Sequence, residues 1–231
     1  MTAVADPALP AAVLFDWDNT LVDNWPTIHD ALNATLSAMG HPTWTLAETR
    51  ARVRASLRDS FPALFGARWE AARDIFYARF EARHIETLVP LPGAPELLNA
   101  LHGRGVYLGV VSNKTGRYLR KEAAALDWER YLTRLVGAQD AVVDKPDRAP
   151  VDLALAPAGI SAGRAVWFVG DTAMDMRCAH AAGCTAVLVG ANGAADDFSD
   201  CAPHFHVADL AGVGSLLGIS WEGLATSRRE A

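Results

Sequence analysis

The alternation of apolar and polar stretches predicts a sheet with helices packed on both of its faces. Five short apolar runs do not alternate with polar residues, which is typical of buried strands in a parallel sheet. These runs are Ala12–Phe15, Val106–Val111, Leu135–Val136, Val166–Val169 and Ala186–Val189. Helical patterns accompany the later runs at Pro95–Leu101, Arg117–Leu126, Val151–Ala158 and Met174–Ala182. We therefore predict an α/β fold whose ligands bind at the carboxyl ends of the strands.

The stretch 24–90 interrupts this alternation with helical patterns and no strand pattern. Helices are predicted at Trp25–Met39, from a capping box at Thr45 to about Leu57, and at Arg68–Arg83. We therefore predict three parts. They are an α/β core of residues 1–23 and 91–218, an all-helical insert of residues 24–90 and a polar, loose C-terminal tail of residues 219–231.

Composition narrows the classes of function. The chain of 231 residues carries a net charge of −6, which argues against a nucleic-acid surface and still permits a local pocket for a small anion. No apolar run is long enough to cross a bilayer, and the N-terminus does not resemble a signal peptide. The three cysteines show no metal-binding spacing, which favours reduced thiols. We expect a cytoplasmic protein without a membrane partner.

Four acidic residues stand at the ends of two predicted strands. Asp16 and Asp18 follow the first strand, and Asp171 and Asp175 follow the strand at Val166–Val169. Carboxylates this close repel each other unless a cation lies between them, and Mg²⁺ prefers such oxygen ligands. Solvated turns and a helix N-terminus are the alternative interpretations of the same residues.

Polar and basic residues follow two other predicted strands. Ser112, Asn113 and Lys114 follow Val106–Val111, and Lys145 lies in the loop after Leu135–Val136. Hydroxyl, amide and ammonium groups donate hydrogen bonds to phosphate oxygens. A turn or helix cap and a solvated lysine would also explain these residues.

The order of these motifs resembles the haloacid dehalogenase-like superfamily, in its subfamily I phosphatase branch with a helical cap. The matching motifs are Asp16-Trp-Asp18-Asn-Thr20, Ser112, Lys145-Pro146 and Gly170-Asp171-Thr-Ala-Met-Asp175. The resemblance covers the chain from Ala12 to Val207. Within the superfamily, the chain most resembles phosphoglycolate phosphatase-like members, which often carry Asn-Lys after the second motif. It implies a Rossmann-like core with residues 24–90 as the cap.

The resemblance also implies the chemistry, which is hydrolysis of a phosphate ester on a small metabolite. Asp16 would attack phosphorus and become phosphorylated, and Asp18 would serve as acid and then base. Mg²⁺ would be held by the side chains of Asp16 and Asp171 and the backbone of Asp18, with Asp175 assisting directly or through water. Ser112 and Lys145 would complete the catalytic set, and the residues expected at the substrate are Thr20, Asn113, Lys114 and Arg54.

Two departures from the family pattern bear on the substrate. Trp17 is larger than the usual aliphatic residue and would shape the leaving-group side, and Arg54 stands where relatives often have Gly in a cap segment that helps to set specificity. A third departure, Asn19 in place of the usual Gly, is a mild change. Arg54, with Arg58 one turn further on, predicts an anionic group on the substrate, although a solvated basic face is the alternative.

Other functions stay open at this point. A phosphotransferase or mutase would use the same residues, and a dehalogenase would use Asp16 without a metal or Asp18. A non-catalytic binding protein would be expected to lack some of the site residues. We expect a monomer or a small homo-oligomer.

Overall fold

The computed structural model describes residues 9–53, 57–190 and 197–219. The described strands are β1 (Ala12–Phe15), β2 (Val22–Asp23), β3 (Val89–Pro90), β4 (Tyr107–Thr115), β5 (Arg134–Ala138), β6 (Val166–Gly170), β7 (Thr185–Val189) and β8 (Phe205–Val207). Six of them form a sheet in the order β5-β4-β1-β6-β7-β8, and every neighbouring pair is parallel. The predicted α/β fold with a parallel sheet is confirmed.

Strand β1 occupies the interior of this sheet, where all four of its residues are buried. Its last residue, Phe15, pairs with Val110 of β4 on one side and Val169 of β6 on the other. The chain adds β4 and β5 on one side of β1 and then crosses to add β6, β7 and β8 on the other. The carboxyl end of β1 is therefore the switch point at which open α/β sheets bind ligands.

The described α-helices agree with most of the predicted ones to within two residues. They are α1 (Trp25–Ala38), α2 (Leu46–Arg52), α3 (Leu57–Phe65), α4 (Trp69–Arg83), α5 (Ala94–Gly103), α6 (Gly116–Ala125), α7 (Ala149–Leu155), α8 (Ala173–Ala181) and α9 (Leu210–Leu216), with short 3₁₀ helices at Gly66–Arg68 and Ala156–Ala158.

The chain divides into two compact units. One contains the described residues up to Val22 and from Pro90 onward, and the other is Asp23–Val89. Strands β2 and β3 pair with each other where the chain passes between the units. That the second unit serves as a cap stays a prediction, and the predicted tail falls outside the described residues from position 220 onward.

The helical unit has an aromatic core of its own. The Phe61 ring packs edge-on against Phe65 and Phe76, with ring centroids 5.0 and 5.8 Å away, and Phe76 stacks on Phe80 at 6.0 Å. Such pairs add to the burial of apolar area. The predicted capping box is present, because Thr45 accepts from the Glu48 N–H and the Glu48 carboxylate accepts from the Thr45 N–H.

Several elements differ from the prediction. Helix α2 ends at Arg52 and not near Leu57, since β-branched Val53 is extended. Helix α3 was not predicted, because its Pro62 normally argues against a helix interior. Strands β2 and β3 are too short to produce a pattern, and β8 and α9 were likewise not predicted.

Two findings bear on the environment of the chain. No described helix combines the length and the apolar character that a bilayer crossing requires. The three cysteines, Cys178, Cys184 and Cys201, are free and buried. Burial raises the pKa of the Cys178 thiol to about 12, so this side chain is a poor nucleophile.

Candidate active site

The carboxylate of Asp16 lies at the switch point in direct contact with a buried lysine. The Lys145 ammonium donates to Asp16 Oδ1 at 2.7 Å and to Asp175 Oδ1 at 2.6 Å. Lys145 comes from the loop after β5, and Asp175 comes from the first turn of α8. All three side chains are buried. One cation therefore joins two acids that are far apart in sequence.

Asp171 completes a cluster of three carboxylates. Ligand atoms of Asp16, Asp171 and Asp175 all lie within 4.8 Å of one another. Thr20 donates its hydroxyl hydrogen to Asp171 Oδ1 at 3.2 Å, which ties the turn after β1 to the end of β6. The structure thus brings together the three acids whose side chains the sequence assigned to a metal.

The electrostatics of the cluster favour a bound divalent cation. Burial raises the pKa of Asp16 to about 6, against the attraction of Lys145 and with further repulsion from Asp175. Burial and the neighbouring carboxylates of Asp175 and Asp16 raise the pKa of Asp171 well above its usual range. Burial alone would lower the pKa of Lys145, but Asp16 and Asp175 raise it, so Lys145 stays charged. Buried, mutually repelling carboxylate oxygens are the hard ligands that suit Mg²⁺, so the residues fit this ion.

Gly170 is required for the position of Asp175. A Cβ atom at Gly170 would collide with the Cβ and Cγ atoms of Asp175. Asp175 is also fixed by the capping box of α8, in which Thr172 donates its N–H and its hydroxyl to Asp175 Oδ2 at 3.0 and 2.6 Å. The Gly-Asp-x-x-x-Asp motif therefore constrains packing and also supplies two of the three clustered carboxylates.

A tight turn places Asp18 beside the cluster. Asn19 has a φ of 64°, and its N–H donates to the carbonyl of Val22 at 2.7 Å. This is a left-handed conformation, which asparagine tolerates better than most residues. The Asp18 side chain is 27% exposed, unlike buried Asp16. Asp18 is therefore partly open to solvent, whereas Asp16 is not.

Asn113 contacts the backbone of Lys145. Its amide donates to the Lys145 carbonyl at 3.1 Å, and its Oδ1 accepts from the Lys145 N–H at 3.0 Å. Ser112 is buried at the same strand end, and its hydroxyl oxygen accepts from the Lys114 N–H at 3.3 Å. The sequence predicted that Asn113 binds the phosphoryl oxygens of the substrate. The structure shows that Asn113 also holds the backbone of Lys145.

Lys114 and a residue that the sequence analysis missed form a buried network beside Asp18. The Lys114 ammonium lies 2.9 Å from Asp18 Oδ1 and 2.9 Å from Glu122 Oε1. The other oxygen of Glu122 accepts from the Trp17 indole N–H at 2.6 Å. The helical pattern of α6 could have identified Glu122, because it places this acid on the buried face of the helix with Tyr118 and Leu119. A buried acid needs a partner.

The last predicted substrate residue, Arg54, lies outside the described residues. The contribution of the cap segment to specificity therefore stays a prediction.

Comparison with known proteins extends these observations. The sequence model of a family described as haloacid dehalogenase-like hydrolase matches residues 13–189. A phosphoglycolate phosphatase of Xanthomonas campestris pv. campestris is 34% identical over 182 residues, which cover 77% of this chain and 82% of that protein. One of Pseudomonas syringae pv. tomato is 31% identical over 196 residues, covering 80% and 71%.

Solved structures show the same fold. A hydrolase of the same superfamily from Ehrlichia chaffeensis superposes with a TM-score of 0.64 at 26% identity, covering 91% of this chain and 97% of that one. A structure from Haemophilus somnus, described as a predicted phosphoglycolate phosphatase, gives a TM-score of 0.76 at 22% identity, covering 89% and 97%.

Proposed function

The chain belongs to the haloacid dehalogenase-like hydrolase family, and we propose that it is a Mg²⁺-dependent phosphatase that hydrolyses a small phosphate monoester through a phosphorylated Asp16. The observation that carries this proposal is the contact of buried Asp16 with Lys145 beside Asp171 and Asp175. Phosphoryl transfer depends chiefly on positioning and on compensation of negative charge, and this arrangement supplies both.

In the first step, the Asp16 carboxylate attacks phosphorus while the bond from phosphorus to the ester oxygen breaks. The contact of the Lys145 ammonium with Asp16 Oδ1 stabilises the charged carboxylate that acts as the nucleophile. Asp18 gives its proton to the departing oxygen, and the alcohol leaves. Ser112 and Lys145 hold the phosphoryl oxygens, whose negative charge would otherwise repel Asp16.

In the second step, water attacks the phosphorylated Asp16 and Asp18 takes a proton from that water. The bond between phosphorus and Asp16 breaks, inorganic phosphate leaves, and both carboxylates return to their starting states. Acid–base catalysis of this kind typically contributes about 10²–10⁴-fold. Partial exposure suits Asp18 to this exchange of protons.

Mg²⁺, when bound by the side chains of Asp16, Asp171 and Asp175 and the backbone of Asp18, would neutralise these acids and the phosphate. The acids argue against a dehalogenase, which needs neither a metal nor Asp18. A phosphotransferase would differ by requiring an acceptor other than water.

The test combines a substrate panel with one variant. Purified protein with Mg²⁺ is incubated with phosphorylated metabolites, 2-phosphoglycolate among them, and with p-nitrophenyl phosphate, and inorganic phosphate is measured. We expect steady phosphate release without an acceptor, and none from Asp16→Asn, whose amide cannot form the acyl-phosphate. Substantial turnover by Asp16→Asn, once mass spectrometry has excluded deamidation, would contradict the nucleophile assignment, and release only with an acceptor would indicate a phosphotransferase.

A further inference from the structure

Glu122 connects the two strand ends on which Asp18 and Lys114 stand. It lies on α6, and the structure leaves 0% of its side chain exposed. One oxygen meets the Lys114 ammonium at 2.9 Å, and the other accepts from the Trp17 indole at 2.6 Å. Lys114 is the penultimate residue of β4, whereas Trp17 lies between Asp16 and Asp18 after β1. A single carboxylate from a helix therefore contacts both strand ends.

Donors hold both oxygens of the buried Glu122 carboxylate. A buried carboxylate is stable only when it is paired, and the two oxygens of Glu122 each meet a different N–H group. Trp17 is itself fully buried, and its ring packs edge-on against Trp128 with centroids 5.6 Å apart. The inner side of the network is therefore enclosed by buried groups, and Lys114 connects it to Asp18.

We propose that Glu122 is a positioning residue that sets the location of the Asp18 carboxylate through Lys114 and Trp17. This inference rests on the proposed function, in which Asp18 transfers the proton to the departing oxygen. A proton donor must lie within about 2.6–3.2 Å of the atom that it serves, so a small displacement lowers the rate. Lys114, which the sequence assigned to the substrate, is the link between Glu122 and Asp18.

The variant Glu122→Gln tests the network with little change of volume. The amide can accept from Lys114 or from Trp17, but its NH₂ group then faces the other donor. Its effect is measured as kcat/KM with two substrates. An alkyl phosphate needs a proton on its departing oxygen, whereas p-nitrophenyl phosphate releases a stable anion. We expect kcat/KM to fall about 10-fold or more with the alkyl ester and to change little with the aryl ester.

This comparison isolates the first step, since hydrolysis of phosphorylated Asp16 follows release of the alcohol and does not enter kcat/KM. Partial unfolding of the variant would lower both values equally. Arg120→Gln is the matched control, because it removes an exposed ion pair with Asp140 from the same helix. We expect that variant to treat the two esters alike. Thermal unfolding of each variant confirms that it is folded.

A double-variant cycle tests the route through Lys114. If Glu122 acts through Lys114, Glu122→Gln lowers kcat/KM for the alkyl ester much less in the Lys114→Met variant than it does in the wild-type chain. Should Glu122→Gln not fold, Trp17→Phe removes one donor and keeps a buried ring, and the same ester dependence is expected. Equal losses with both esters, or no loss, overturn the inference. The alkyl ester is one that the wild-type chain hydrolyses in the substrate panel described above; a wild-type chain that hydrolyses no ester of that panel overturns the proposed function and this inference with it.

Discussion

The side-chain amide of Asn113 pairs with the backbone of Lys145 in both directions, although the two residues are 32 positions apart. The loop after β5 is thereby fixed to the end of β4. The Lys145 side chain then reaches Asp16 and Asp175 from an oriented backbone. The placement of the buried ammonium thus depends on a residue that touches neither carboxylate in the contacts described above.

Asn113→Ala is expected to lower kcat by about 10-fold, because Lys145 loses the support of its backbone and a misplaced group weakens charge compensation. The free energy of unfolding should fall by about 1–2 kcal/mol for two lost hydrogen bonds. Steady-state kinetics and chemical denaturation measure the two effects.

Asn33→Ala is the matched control for this prediction. The Asn33 amide makes the same pair of contacts with the Trp44 backbone, at 2.8 and 2.9 Å, within the helical unit. We expect a similar loss of stability with kcat unchanged. If both variants lost kcat equally, the effect of Asn113 would be one of folding and not of Lys145.

Gly170→Ala is expected to displace Asp175, since the added methyl group would overlap its Cβ and Cγ atoms. Asp175 contacts Lys145 and belongs to the proposed metal ligands, so activity should fall and more Mg²⁺ should be needed for half-maximal rate. Overpacking of this kind typically costs about 1–3 kcal/mol of stability. Titration of the rate with Mg²⁺ measures the first effect.

Gly163→Ala provides the comparison, because a Cβ atom there meets nothing within 4 Å. That variant should keep both its Mg²⁺ requirement and its stability. An unchanged Mg²⁺ requirement in Gly170→Ala would contradict the packing argument.

Removal of the metal should abolish turnover. EDTA is expected to stop phosphate release, and Mg²⁺ should restore it. Ca²⁺ should inhibit, since its larger and looser coordination sphere misplaces Asp16 relative to phosphorus.

Binding of Mg²⁺ can be measured independently of activity, because an ion that binds only the folded chain raises the unfolding temperature. Asp171→Asn should weaken this shift. Full activity of a demetallated sample would count decisively against the assignment.

The fold was predictable where burial dominates. Strand β1 matches its predicted range, because a strand covered on both faces reads as an unbroken apolar run. Strand β4 was expected to end at Val111 and continues to Thr115, since its last residues carry polar side chains that no apolar pattern includes. Edge strand β8 has two exposed residues and gave no such signal.

The site was predictable only in part. The acids and Lys145 follow predicted strands, so topology alone brings them to one edge. The contacts of Asn113 with Lys145 and of Glu122 with Trp17 join residues 32 and 105 positions apart. Such pairs depend on side-chain direction in three dimensions, which a single sequence does not contain.

Arg54→Ala is expected to raise KM for an anionic substrate such as 2-phosphoglycolate by about 10-fold or more, the scale of a charge-assisted hydrogen bond. The basis is the sequence, in which an arginine stands where relatives often have Gly. Hydrolysis of p-nitrophenyl phosphate, whose leaving group lacks a carboxylate, should barely change.

Arg52→Ala is the matched control, because Arg52 is exposed and contacts Glu48 and the Trp44 ring. It should alter neither KM. If Arg54→Ala raised KM equally for both substrates, the result would contradict a role of Arg54 in specificity.

The pairing of β2 with β3 has a consequence for how such a chain can diversify. The chain leaves the sheet unit at Val22 and returns at Pro90, and the Leu91 N–H donates to the Leu21 carbonyl at 2.9 Å. Because the two ends of the inserted segment are neighbours, the sheet unit can accommodate inserts of different length as one closed loop. Doubling the length of a flexible loop raises the entropic cost of closing it by only about 0.6 kcal/mol. Recombination at these two points would exchange the inserted helical unit and leave the register of β1, the strand that precedes Asp16, intact.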